Sequence, residues 1–254
     1  MNRLLSFLFS ISLIGCCNEP KLLQNGLTKK ASKITEYTFI IEEDSLNNKN
    51  KDTLSIIEKK YNENDQIISR HQKDVFADES FDIQYTYNEN KKIQQEIVTF
   101  PDDSLVYIVD YFYKDTLLVK TTADINNDIF QLIQRGWYQY NSQNDLLEHS
   151  SKLIYINNYT NDTILNTNEI STYDADFLIE TKLFNYINPE RSRTTKYVYS
   201  CGLLKKMSAY NRNDSLIAIT KYKYQYDKYR NWIARESFEN NKLNYIIFRD
   251  IDYK

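Results

Sequence analysis

Lys223-Tyr224-Gln225-Tyr226-Asp227-Lys228-Tyr229-Arg230-Asn231-Trp232-Ile233 carries the pattern on which the fold turns: an alternating run, a tyrosine, a polar reversal and an apolar restart. Just upstream, Leu216, Ala218, Thr220, Tyr222, Tyr224 and Tyr226 share one parity, and Ile217, Ile219, Lys221, Lys223 and Gln225 the other. Period two with Tyr, Ile and Thr enriched marks a half-buried strand, not a helix. The pattern repeats. Tyr61, Tyr87, Tyr113, Tyr140, Tyr173, Tyr199, Tyr226 and Tyr253 close similar segments at steps of 26, 26, 27, 33, 26, 27 and 27 residues. In most copies another aromatic stands two residues earlier, as at Tyr85, Tyr111, Tyr138, Tyr197 and Tyr224. An AT-rich genome can raise tyrosine to 22 of 254 residues, but codon bias cannot set a fixed period.

A second punctuation falls between the tyrosines, at Asp52-Thr53-Leu54, Asp103-Ser104-Leu105, Asp162-Thr163-Ile164 and Asp214-Ser215-Leu216. Asp, Asn and Ser bond their own backbone in turns, so each repeat has two reversals and two extended runs. Short reversals make neighbours antiparallel. Pairing Tyr61 with Ile67, Tyr87 with Ile93 and Tyr226 with Trp232 sets apolar residues opposite one another across five-residue loops. Such loops are built around a type I turn and tolerate a chain with only four glycines. The expected fold is all-β: an antiparallel meander of about fifteen strands in a curled or coiled sheet, an open trough or a closed barrel, because a flat sheet on the order of 70 Å wide would violate strand twist. An outer-membrane barrel is disfavoured, since no lipid-facing apolar band is evident and a lipid anchor would be redundant. The long step between Tyr140 and Tyr173 predicts a protruding hairpin around residues 157–168.

The amino terminus reads as an address. One positive charge, Arg3, precedes an apolar run from Leu4 to Ile14 that is too short to span a bilayer, which takes about 20 residues. Leu13-Ile14-Gly15-Cys16 resembles the lipobox of bacterial lipoproteins, which implies cleavage before Cys16 and a lipid on its thiol. The expected organisation is a signal peptide over residues 1–15, a lipidated flexible tether over 16–33, and one β-repeat domain over 34–254. Cys17, not Asp, follows the modified position, which favours outer-membrane sorting within a bacterial cell envelope. With Cys16 consumed, only Cys17 and Cys201 remain, so no disulfide framework holds the fold.

The quoted stretch also looks like the YD-type (RHS-like) repeats of bacterial envelope proteins, with the tyrosine–acid/amide step recurring at Tyr61-Asn62, Tyr87-Asn88, Tyr140-Asn141 and Tyr173-Asp174. The resemblance spans about residues 35–254 and implies a spiralling sheet that serves as shell or scaffold. The family's turn glycine is replaced near Asp65, Lys91, Asn144 and Arg230, with only Gly202 close to its place.

Catalytic and metal signatures are missing from the sequence. His71 and His149 lack ligand spacing, and Asp124-Ile125-Asn126-Asn127-Asp128 starts like a calcium loop but continues with Ile129 and Arg135 where Gly and Glu are required. Glu42-Glu43-Asp44 and Asp102-Asp103 fall at turns or strand ends, as solvated surface. A net charge of −3 with both signs interspersed excludes a nucleic-acid footprint. Polar residues on the tyrosine parity are the sharper clue. Counting back in twos gives Gln134, Glu169 and Arg193, which with Tyr111, Tyr138 and Tyr197 form a candidate ligand-binding groove. The expected function is a non-catalytic, membrane-anchored scaffold or binding module for a saccharide, peptidoglycan, peptide or protein, without cofactor or metal. A lipid or lipoprotein carrier and an anchored glycoside hydrolase are the alternatives.

Overall fold

The computed structural model describes residues 27, 29–43, 49–100, 105–126, 128, 130–174, 177–200 and 202–254. Their alternating sequence folds into sixteen antiparallel strands. The first eight are β1 (Ala31–Glu43), β2 (Lys49–Tyr61), β3 (Ile67–Asp74), β4 (Glu79–Tyr87), β5 (Ile93–Phe100), β6 (Leu105–Lys114), β7 (Leu117–Asn126) and β8 (Phe130–Tyr140). The others are β9 (Leu146–Asn157), β10 (Asp162–Asp174), β11 (Phe177–Asn185), β12 (Arg193–Ser200), β13 (Leu203–Asn211), β14 (Leu216–Tyr226), β15 (Trp232–Glu239) and β16 (Lys242–Tyr253). Each pairs with its neighbours in sequence, and β1 pairs with β16 from Ala31↔Tyr253 to Ile40↔Tyr245. The result is a closed up-and-down barrel.

The meander of about fifteen strands is sixteen, and of the ways in which so wide a sheet can bend this one closes on itself. Closure has a physical reason: β1 and β16 would each otherwise expose a long row of unpaired backbone groups. The extra residues between Tyr140 and Tyr173 go into strand length, making β9 and β10 12 and 13 residues long.

The three tyrosine pairings hold. Tyr61 faces Ile67, Tyr87 faces Ile93 and Tyr226 faces Trp232, each just after a one-residue bulge. Tyr140 repeats this register against Leu146, while Tyr113, Tyr173 and Tyr199, also beside a bulge, face Leu118, Leu178 and Leu204 across connections one residue shorter. In the first of these turns, the Asn62 carboxamide oxygen accepts the backbone N–H groups of Asn64 and Gln66 at 2.9 and 3.0 Å. Asn88, Asn141 and Asp227 do the same in their turns. The residue that lands in the left-handed region is Asp65, Lys91, Asn144 or Arg230, at φ 61°, 59°, 70° and 64°. These are the positions at which the resemblance wanted glycine.

Beyond the bulge the tyrosines act as staples. The β3–β4 ladder ends at Ser69↔Gln84, leaving the Ile67 carbonyl open, and the Tyr87 hydroxyl donates to it at 2.6 Å. Tyr113 reaches the Ile93 carbonyl at 2.9 Å and Tyr140 the Leu118 carbonyl at 2.8 Å. On β14 the role passes to Tyr224, which donates to the Leu204 carbonyl at 2.9 Å, while Tyr226 is 46% exposed. Each staple bridges two strands where their ladder has run out, worth about 1 kcal/mol.

The tyrosine parity faces inward. Ile83, Val109, Thr195 and Thr220 on that parity are buried, whereas Gln84, Phe112, Val198 and Lys221 on the other are exposed. Sixteen strands tilted by about 40° wrap a wall roughly 30 Å across, wider than facing side chains fill, so the barrel encloses a lumen. The strands' extensive contacts are all with sheet neighbours. At the short-turn rim, Leu27 packs with Ala31, Ile34, Tyr61 and Ile251. Lys30 pairs there with Asp65 at 3.1 Å, and Lys29 lies over the rings of Tyr229 and Tyr253. Glu36 on β1 closes the seam. Arg249 on β16 donates to its Oε1 at 2.8 and 2.7 Å, and Lys59 on β2 approaches its Oε2 at 3.4 Å.

Candidate functional site

The cross-strand register places the expected residues on one stretch of lumen wall. A single row runs from Tyr111 on β6 through Thr121, Gly136, Ser151, Glu169 and Leu183 to Arg193 on β12. Gln134 sits one step toward the long-loop rim, between Ala123 and Leu153. One step toward the short-turn rim, another row joins Tyr138 to His149, Ser171, Thr181 and Thr195. Tyr197 lies on the same strand as Arg193. All six expected residues therefore line the lumen, with small and hydroxyl-bearing side chains between them.

Local chemistry explains how the phenols lie. Tyr138 hydrogen-bonds Thr121, Tyr173 bonds Ser171, and Tyr197 bonds Thr181, so each ring leans over a small neighbour. The Tyr138 ring stacks on the His149 imidazole with centroids 4.4 Å apart. Gly136 is required beneath them: a Cβ there would come within 2.4 Å of Thr121 Oγ1 and 3.2 Å of His149 Nε2. Burial pushes the Tyr138 hydroxyl up to about 12 and the His149 imidazole down to about 4. Near neutrality the site thus offers protonated phenols and a neutral imidazole.

Glu169 and Arg193 are separated by Leu183, about 10 Å apart along the wall, and do not close into an ion pair. Burial raises the Glu169 carboxyl above its usual range, and the Arg193 guanidinium pulls it back in part. Tyr111 is committed elsewhere: its hydroxyl donates to Glu96 Oε1 at 2.6 Å. Glu96 is raised by burial and lowered by Tyr111 and Arg70. The groove is therefore split into a Tyr111–Glu96 unit and a Glu169–Arg193–Tyr197 unit.

Sequence counting missed Glu36, Lys59, Arg70, Glu96, His149, Arg235 and Arg249 on the inner face. The bulge beside each rim tyrosine shifts register by one residue, so parity counted on an even-numbered strand does not carry across the turn. Lys59 and Arg249 did stand on the counted parity, and that signal was available.

The other candidates resolve plainly. His71 faces outward, its Nδ1 2.9 Å from Asp82 Oδ1. Asp124 is held by Arg135 at 2.7 Å, and no metal-binding cluster occurs among the described residues. Among the inward carboxylates, Glu36, Glu96 and Glu169 sit on β1, β5 and β10, each perturbed by burial and by cations or phenols. Cys16, Cys17, Asp44, Asp102, Asp103 and Cys201 lie outside the described residues.

No protein-family model matches the sequence, and no curated protein matches it. Among solved structures, a porin-like protein from Bacteroides uniformis ATCC 8492 is similar over 87% of this chain and 98% of its own, with TM-score 0.51 and 11% identity. A porin-like protein from Bacteroides vulgatus ATCC 8482 is similar over 89% of this chain and 99% of its own, with TM-score 0.53 and 12% identity. At that identity the likeness is one of fold: a closed antiparallel β-barrel.

Proposed function

We propose that this chain is a non-catalytic envelope lipoprotein, tethered by a lipid on Cys16, whose barrel stands in water and holds a saccharide or peptide in its phenolic lumen. The observation that carries the reading is the polarity of the wall. Phenols line the inside, while Lys120, Arg135, Lys152, Lys182, Lys196, Lys221 and Lys223 project outward from β7, β8, β9, β11, β12 and β14. A lipid-spanning barrel presents an outward apolar band about 25 Å tall, and each Lys or Arg near its midplane costs roughly 2–4 kcal/mol. A shared barrel with porin-like proteins supports an envelope location; the outward charges favour a place beside the membrane, not within it. Tyrosine suits saccharides and peptides because the ring packs while the hydroxyl bonds. An acyl-chain carrier would want a dry aliphatic lumen, and Arg70, Arg193 and Arg235 argue against one.

Fractionation of cells expressing the full chain and its Cys16→Ser variant tests the anchor and the water-facing wall together. Membrane recovery of the parent and detergent-free soluble recovery of the variant are expected. A variant barrel that still needs detergent would overturn the reading. For the lumen, Glu169→Gln and Arg193→Gln should weaken retention on saccharide or peptidoglycan-fragment arrays, and unchanged retention would retire the site.

A further inference from the structure

The outer face of the same wall carries a groove of about 450 Å³ lined by Trp137, Ser150, Lys152, Asn166, Asn168 and Tyr186. Trp137 on β8 is 42% exposed and Tyr186, just past β11, is 57% exposed. Large rings left in water on one face of the wall are an informative exception to burial. Between them run β9 and β10: Ser150 pairs with Trp137, Lys152 pairs with Asn168, and the Tyr186 backbone N–H donates to the Asn166 carbonyl at 2.9 Å. The rings therefore flank a floor of hydroxyl, amides and ammonium, at a span of three strand spacings or about 14 Å.

Two features of that floor are uncommitted. The Asn166 Oδ1, buried in the floor, has no hydrogen-bond donor among the described residues. Lys152 makes no ion pair among the described residues, and its cross-strand neighbour Arg135 is a like charge, itself held by Asp124 at 2.7 Å. We infer that the groove binds a short acidic oligosaccharide, with sugar rings against Trp137 and Tyr186, hydroxyls on Ser150, Asn166 and Asn168, and a carboxylate on Lys152. Aromatic faces pack on the C–H faces of sugars, and amides bond their hydroxyls. The lone ammonium adds a charge-assisted bond that a neutral glycan cannot use. An extended peptide would seek a free strand edge, and the closed barrel has none. The groove is independent of the lumen reading.

The test titrates the full chain with hexagalacturonate and hexamannuronate as acidic probes and cellohexaose as the neutral one, following tryptophan fluorescence and heat. An acidic probe is expected to bind at least about tenfold more tightly than cellohexaose. Trp137→Ala and Tyr186→Ala should each weaken it about tenfold. Lys152→Gln should bring it down to the neutral level, and Lys152→Arg should retain it. Lys221→Gln, on the outer face of β14 and away from the groove, should leave it unchanged. Should Trp137→Ala fail to fold by far-UV circular dichroism, Tyr186→Ala in the connection carries the test. Absence of saturable binding by both acidic probes, equal affinity for cellohexaose, or indifference to the ring and lysine variants would overturn the inference.

Discussion

Replacing Glu36 with Gln should open the barrel at its seam. Glu36 ties β16 to β2 through Arg249 and Lys59, and is only 13% exposed. Burial alone would raise its carboxyl, but the Arg249 and Lys59 cations override it and hold it at about 2, against an ordinary 4.5. That depression corresponds to about 3 kcal/mol of stability. Because the folded value is the lower one, this stability is present above about pH 4.5 and is lost as pH falls through about 2. The cations behave oppositely: burial, the largest cause in each, pushes Lys59 and Arg249 down. The carboxylate thus gains what its partners lose by desolvation. Glu36→Gln, which strands both cations, should cost about 3–5 kcal/mol in urea unfolding at pH 7. Glu36→Leu, Lys59→Met and Arg249→Met together should be neutral or stabilising by about 1–4 kcal/mol. The deficit of Glu36→Gln should also narrow between pH 4.5 and 2, where the parent carboxyl protonates. A deficit below about 1 kcal/mol at pH 7, or one constant through the acid range, would refute this account of the seam.

Lys91→Gly and Arg230→Gly should each raise stability by about 1 kcal/mol, since an L-side chain pays for its left-handed backbone there; urea midpoints read the gain. Tyr113→Phe should cost about 1 kcal/mol by removing the staple to Ile93. Tyr199→Phe, whose buried hydroxyl has no partner among the described residues, should cost nothing or stabilise. Gly136→Ala should destabilise by about 1–3 kcal/mol through collision with Thr121, and Thr121→Ala in the same chain should recover part of it in a double-mutant cycle.

The period of the tyrosines was enough to read the strands, their antiparallel order and the turn register, because side-chain alternation and Asx turns are local. It was also enough to place Gln134, Glu169, Arg193, Tyr111, Tyr138 and Tyr197 on a common face. Closure was not legible: Ala31–Ile40 and Tyr245–Tyr253 meet only after the whole wall has wound round. Nor was the division of the groove, since the Tyr111–Glu96 bond joins strands whose parity is reset by the bulge at Tyr87. The outer groove escaped notice because Trp137 and Tyr186 stand far apart in sequence and become neighbours only across β9 and β10.

A wall assembled from interchangeable hairpins has a girth that inheritance can alter in fixed increments. Gain or loss of one unit of about 26 residues would add or remove two staves, because each rim tyrosine grips only its own neighbour. The Glu36 clasp meets just two fixed strands and would survive the change. Relatives of this chain could therefore differ in bore while keeping the same fastening.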